Sequence, residues 1–224
     1  NIILKFSTNE NYSAVGCKIV DYNNPEDVQV CGGGSYYKIF GLPINFSKNI
    51  LVNDEEKIED KLIYLHGSSM VIKTAMVTKY SGFCESYFHY FEELDFFSKF
   101  SSLEMLGYAS SSIVYHLGGA SSSNKKGGTP KRRYASAFSE YYMFRNRILF
   151  CRYHNRSMLF LVMAGISFAF LKRVLSGRFM LAKTLLSATF DSIQKLPTKK
   201  ALFFNANAKI FWHDAKVLNK NLGK

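Results

Sequence analysis

Cysteine is scarce in this chain. The four thiols, Cys17, Cys31, Cys84 and Cys151, never fall into a CxxC spacing. That argues against a zinc knuckle and gives no disulfide framework, so a reducing cytoplasm is the expected compartment. Long apolar runs are also missing. Met158 to Leu171 gives 14 nearly uninterrupted apolar positions, where a membrane-crossing helix needs about 20. The start, Asn1-Ile2-Ile3-Leu4-Lys5-Phe6, has neither the charged opening nor the small-residue cleavage site of a secretory leader. Gly32-Gly33-Gly34 lacks the lysine and the strand-to-helix setting of a phosphate-binding loop, which leaves a loop or bulge. RNA-recognition, KH and zinc-finger signatures are absent too.

Acidic charge is in deficit, with 17 acidic against 29 basic residues and a net charge of +12. The excess gathers after Asn124, beginning with Lys125, Lys126, Lys131, Arg132 and Arg133. Such a field favours anionic partners: nucleic acid, anionic lipid headgroups or a diphosphate. With 47% hydrophobic residues in 224, the chain can bury one substantial core, or a core with a helical appendage.

Strand-like runs occur at Ser13–Asp21 and Val28–Cys31, and again at Leu62–Leu65. The polar stretch 47–61 reads as a surface connection. Residues 69–78 read as a strand leading into a short helix. Val114-Tyr115-His116 ends a strand-like run where the chain enters Gly118-Gly119, and the polar stretch 121–133 reads as a loop. Residues 134–153 carry Phe138, Tyr141, Tyr142, Arg145, Ile148, Leu149 and Arg152 at helical spacing. The apolar run from Met158 is flanked by Arg152, Arg156, Lys172, Arg173 and Arg178, which suits a buried helix or one pressed on a membrane surface. Leu181, Leu185, Leu186, Phe190, Ile193 and Leu196 predict a second amphipathic helix, ended by Pro197. Trp212 is a weak interfacial-anchor candidate.

The densest chemistry lies in Phe91-Glu92-Glu93-Leu94-Asp95, three carboxylates set among Tyr87, Phe88, Tyr90, Phe96 and Phe97. Carboxylates held against apolar rings ionise reluctantly, and a pKa near neutrality suits proton abstraction. The plainer alternative is the first turn of a helix, where negative charge favours the dipole.

In order along the chain stand Ala14–Asp21, Cys31-Gly32-Gly33-Gly34, His66-Gly67-Ser68-Ser69 with Met70–Lys73, Gly82-Phe83-Cys84-Glu85 and Tyr90–Asp95. Gly107-Tyr108, His116–Ser121 and Tyr141–Arg147 follow. Together, over roughly residues 14–155, they resemble the second half of the catalytic domain of family 2 inverting glycosyltransferases, which have the GT-A fold, particularly bacterial rhamnosyltransferase-like members. The chain departs from that pattern where Glu92-Glu93 replaces Glu-Asp and where Cys84 replaces an Asp.

The resemblance implies an α/β fold with a partial GT-A-like mixed sheet and flanking helices over residues 1–155, followed by a helical, membrane-surface extension over 156–224. It implies transfer of a sugar from a nucleotide-sugar donor to a glycan or lipid-linked acceptor with inversion, in cell-surface polysaccharide synthesis. Glu93 stands where the family has its catalytic base. Glu92, Asp95, His66, Gly67, Arg145 and Arg147 are the expected substrate-binding residues, and His116 an expected ligand of a divalent metal, Mg2+ or Mn2+. The family's main carboxylate metal ligands precede this region, so the chain reads as a C-terminal portion of a longer enzyme, inactive by itself. The expected location is cytoplasmic, peripheral on the inner face of the cell membrane. The alternatives are a non-catalytic membrane-associated scaffold and, less in keeping with aromatics at core-like spacing, a basic nucleic-acid-binding module.

Overall fold

The computed structural model describes residues 2–47, 55–117 and 136–194. The basic stretch expected as a loop at 121–133, and the tail with Pro197 and Trp212, lie outside the described residues. The order is α1 (Ile2–Thr8), β1 (Tyr12–Asp21), β2 (Val28–Cys31), β3 (Gly33–Tyr37), β4 (Leu42–Asn45), α2 (Glu55–Glu59), β5 (Tyr64–Leu65), β6 (Met70–Ile72), α3 (Thr74–Lys79), α4 (Glu92–Phe97), β7 (Met105–His116), α5 (Ala137–His154), α6 (Leu159–Leu175) and α7 (Phe179–Gln194). The class is mixed α/β, with a mixed sheet and flanking helices.

β1 is the centre. One of its edges pairs in parallel with β7, from Tyr12 beside Met105 to Asp21 beside His116. Its other edge is shared by two antiparallel strands, β6 opposite Ala14–Gly16 and β2 opposite Lys18–Val20. A strand with neighbours on both edges and cover on both faces must be apolar almost throughout. Accordingly, Tyr12 through Cys17 are all buried. A smaller antiparallel sheet, β4-β3-β5, lies alongside.

Two expectations shift. Gly33 and Gly34 belong to strand β3 rather than to a loop. A Cβ at Gly33 would lie 1.9 Å from the Tyr64 carbonyl oxygen, and one at Gly34 would lie 2.0 Å from that of Ile44, so the glycines let β3 pass tightly between its neighbours. The polar stretch before Leu62 also contains a structural helix. In α2, Ile58 is buried, and Glu59 accepts from the Tyr108 backbone N–H (2.7 Å) and the Tyr12 hydroxyl (2.7 Å), tying α2 to β1 and β7.

The main core gathers the rings after the acidic motif. Phe96, Phe97 and Phe100 form a triangle with centroids 5.2–5.3 Å apart, and Tyr36, Phe91 and Phe150 extend it. Burying each such ring contributes about 1.5–3 kcal/mol. α5 begins at Ser136, whose hydroxyl accepts from the Ser139 N–H, and every residue from Arg145 to Cys151 is buried. A helix wrapped on all sides is a spine rather than a surface element.

Candidate functional site

The acidic motif forms α4, and its N-terminus carries Glu92 and Glu93. What aims them is the segment before the helix. Phe88, Tyr90 and Phe91 all have positive φ, 62°, 65° and 74°, a conformation that bulky residues adopt only when neighbours hold them there. The holder is Asn146 at the centre of α5, fully buried, whose Nδ2 donates to the carbonyls of Tyr87 (2.8 Å), His89 (2.7 Å) and Tyr90 (2.8 Å). Arg145 adds a bond from Nη2 to the Ser86 carbonyl (2.9 Å).

Glu93 lies against the turn after β5. The Gly67 N–H donates to its Oε1 (3.0 Å), and a Cβ on residue 67 would lie 2.3 Å from that oxygen, so only glycine lets the carboxylate come this close. Burial first, and then the negative charge of Glu92, push the Glu93 pKa up to about 7 against the Gly67 hydrogen bond. Burial raises Glu92 as well.

Next to Gly67, the His66 ring meets the His116 ring edge to face at 6.4 Å. The Ser68 N–H donates to His66 Nδ1 (3.3 Å), with Ser68 Oγ 2.6 Å away, so Nδ1 accepts and the ring proton sits on Nε2. Burial, then the neighbouring His116, hold the His66 pKa below its ordinary value, and the ring is neutral at pH 7. His116 has the opposite tautomer. Gln29 Nε2 donates to Asp21 Oδ2 (2.9 Å) and to the His116 carbonyl (3.2 Å), which turns its Oε1 toward His116 Nδ1 (3.0 Å) and makes that nitrogen the donor. In the neutral imidazole of His116, Nε2 then carries the lone pair.

Glu92, Glu93, His66, Gly67 and His116 therefore form one group, at the carboxyl ends of β1, β5 and β7. Outside the carboxyl ends of strands is where open α/β sheets offer a crevice. The group holds a base of near-neutral pKa, a backbone donor and two imidazoles, of which His66 presents Nε2–H.

The other three expected residues point elsewhere. Asp95 is buried between His154 Nε2 (2.8 Å) and Lys99 Nζ (2.8 Å). Burial alone would raise its pKa, but His154 and then Lys99 outweigh burial and hold it below the ordinary range. Arg145 bonds Asn146 and Ser86 and lies over Tyr142. Arg147 sits at the seam of α5 and α6 beside Gly41 and Gly165, where burial lowers its pKa.

Among the described residues no group of three or more His, Cys, Asp or Glu side chains is set to hold a metal ion. His116 offers Nε2 alone, and Asp21 is engaged by Gln29 and by the backbone N–H groups of Asn23 and Asn24. These residues do not by themselves make a metal centre.

Sequence reasoning missed Asn146, Gln29 and Ser68. An amide in mid-helix, just before the apolar run Ile148-Leu149-Phe150, was the one available signal. No family model matches the chain, and no curated protein matches it.

Proposed function

We propose that this chain forms the acceptor-side part of an inverting sugar transferase, in which Glu93 takes the proton from an acceptor hydroxyl as that oxygen displaces a nucleoside diphosphate from the anomeric carbon. The observation that carries the reading is Glu93 itself, a half-buried carboxylate held by the Gly67 N–H and with a pKa raised to about 7. A general base works best when its pKa lies near the working pH. Glu92 keeps that pKa high and, with the His66 Nε2–H, suits contact with sugar hydroxyls.

In this reading the fold is GT-A-like, the donor is a nucleotide sugar and the acceptor a glycan or a lipid-linked glycan. Lys125, Lys126, Lys131, Arg132 and Arg133, which follow His116 in the chain, suit an anionic leaving group by charge. Arg145 and Arg147 act as structural residues. A divalent ion, Mg2+ or Mn2+, would offset leaving-group charge, with carboxylate ligands from outside this chain and His116 Nε2 as one ligand within it. The site faces the cytoplasm.

The test compares the full-length protein with Glu93→Gln, measuring nucleoside diphosphate release from a panel of nucleotide sugars and donor affinity separately. The expected outcome is a fall in turnover of about 100-fold or more, with donor affinity unchanged. Equal turnover in both would remove Glu93 as the base and leave a membrane-associated scaffold as the better reading.

A further inference from the structure

Helices α6 and α7 carry an apolar face that none of the described residues covers. Along α6, Phe160, Leu161, Ala164, Phe168, Leu171 and Leu175 are exposed at three- and four-residue intervals, Phe160 at 80% and Phe168 at 70%. α7 repeats the pattern with Phe179, Leu186, Phe190 and Ile193. The opposite stripes, Val162 and Ile166 of α6 and Ala182, Leu185 and Ala188 of α7, are buried, and both helices pack on α5. Large apolar side chains exposed at helical spacing along two neighbouring helices mark a surface that meets another apolar phase.

The charge on that face selects the phase. α6 has no acidic residue, and the one in α7, Asp191, accepts from the Tyr141 hydroxyl. Lys172 lies one turn from Phe168 and Lys183 one turn from Phe179, both exposed on the apolar stripes, and Arg156 and Arg178 stand exposed at the two ends of α6. Protein interfaces are depleted of lysine at their centres. Lysines interleaved with large apolar groups, without balancing carboxylates, match anionic headgroups above acyl chains.

By length and composition Arg156–Leu175 can cross a bilayer. Its anchoring to the globular part argues that it lies along the surface instead. Arg173 makes a two-pronged ion pair with Glu140 of α5 (3.0 and 2.9 Å), and Arg147 reaches the middle of α6 at Gly165. A crossing helix would carry all three charged groups into hydrocarbon.

We infer that α6 and α7 together dock flat on an anionic bilayer, with their apolar stripes sunk to the headgroup–acyl boundary and Lys172 and Lys183 at phosphate level. The inference is independent of sugar transfer.

The test is flotation of the full-length protein with vesicles of phosphatidylcholine alone or mixed with phosphatidylglycerol. Binding to the anionic vesicles is expected to be about tenfold tighter or more, weakened by salt and released by alkaline carbonate. Phe168→Asp with Leu186→Asp is expected to abolish it without changing circular dichroism or thermal unfolding, since both side chains are exposed. Lys172→Gln with Lys183→Gln is expected to erase the preference for anionic lipid. Carbonate-resistant, charge-independent binding would mean a crossing helix and overturn the inference. So would failure to bind either vesicle, or a dimer in solution that the two aspartates dissociate.

Discussion

Glu93 and Asp95 stand two positions apart on one short helix, yet their pKa values move in opposite directions, because burial and the charge of Glu92 prevail over the Gly67 hydrogen bond at Glu93, whereas His154 and Lys99 outweigh burial at Asp95. The sign of each follows from proton counting. Folded Glu93 holds its proton up to about pH 7, whereas the unfolded chain releases it near 4.5. The folded state therefore binds more protons across that window, and stability falls as pH rises through it. Glu93→Gln keeps an oxygen for the Gly67 N–H and removes the half-buried charge. Chemical denaturation should find this variant more stable than wild type by about 1–3 kcal/mol at pH 8, with the difference vanishing below about pH 4.5. Asp95→Asn should behave in the reverse way. Its depressed pKa stabilises the fold above the unfolded value of 3.8, and that contribution is lost as pH falls. Removing the charge leaves His154 and Lys99 facing a neutral amide in a buried setting, at a cost of about 3 kcal/mol at neutral pH. Gly67→Ala tests the close approach itself. Its Cβ would displace the Glu93 carboxylate, and under the proposed sugar transfer nucleoside diphosphate release should fall about 100-fold with the fold intact by circular dichroism.

Among the elements, the segment Tyr87–Phe91 is where reading from sequence stops working. Helical spacing made α5 legible, strand-like runs revealed β1 and β7, and the clustered carboxylates marked the start of α4. None of those patterns encodes three carbonyls of one short segment gathered by one side chain, because Asn146 lies 56 to 59 positions from its acceptors and nothing local distinguishes it. For the same reason Arg145 and Arg147 look like substrate-binding residues in sequence and prove to be packed inside the protein. α2 was hidden because Ile58 is its single buried apolar side chain, too little for a periodic signal. The Asn146 latch makes a measurable claim. Asn146→Ala removes a donor from three carbonyls, of which Tyr87 keeps the His89 N–H (2.7 Å), and frees three residues from positive φ, so unfolding in urea should show a loss of about 3 kcal/mol. Hydrogen exchange should also accelerate at the amides of α4, where Asp95 N–H bonds the Phe91 carbonyl. A merely local packing role would lower stability without that selective loss of protection.

For the molecule as a whole, α5 joins the two regions that composition distinguishes. One side of it holds the segment that aims Glu93, and other sides receive α6 and α7. Ile148 and Cys151 pack with Val162 and Ile166, Glu140 pairs with Arg173, Tyr141 bonds Asp191, and Arg152 bonds the Ser192 carbonyl. The apolar, basic character of residues after 155 was plain in the sequence. Their attachment to the site-bearing helix was not, since it depends on which face of each helix turns inward. If α5 is a shared spine, the C-terminal helices contribute to the site without touching it. A chain ending at Asn155 would expose Ile148 and Cys151 and leave Glu140 buried without its guanidinium partner. Its thermal midpoint should fall by about 10 °C or more, and exchange at the α4 amides should rise as it does in Asn146→Ala. If truncation instead left the midpoint and the α4 protection unchanged, α5 would be held by the sheet alone, and α6 and α7 would be an appendage whose sole contribution is the surface they present.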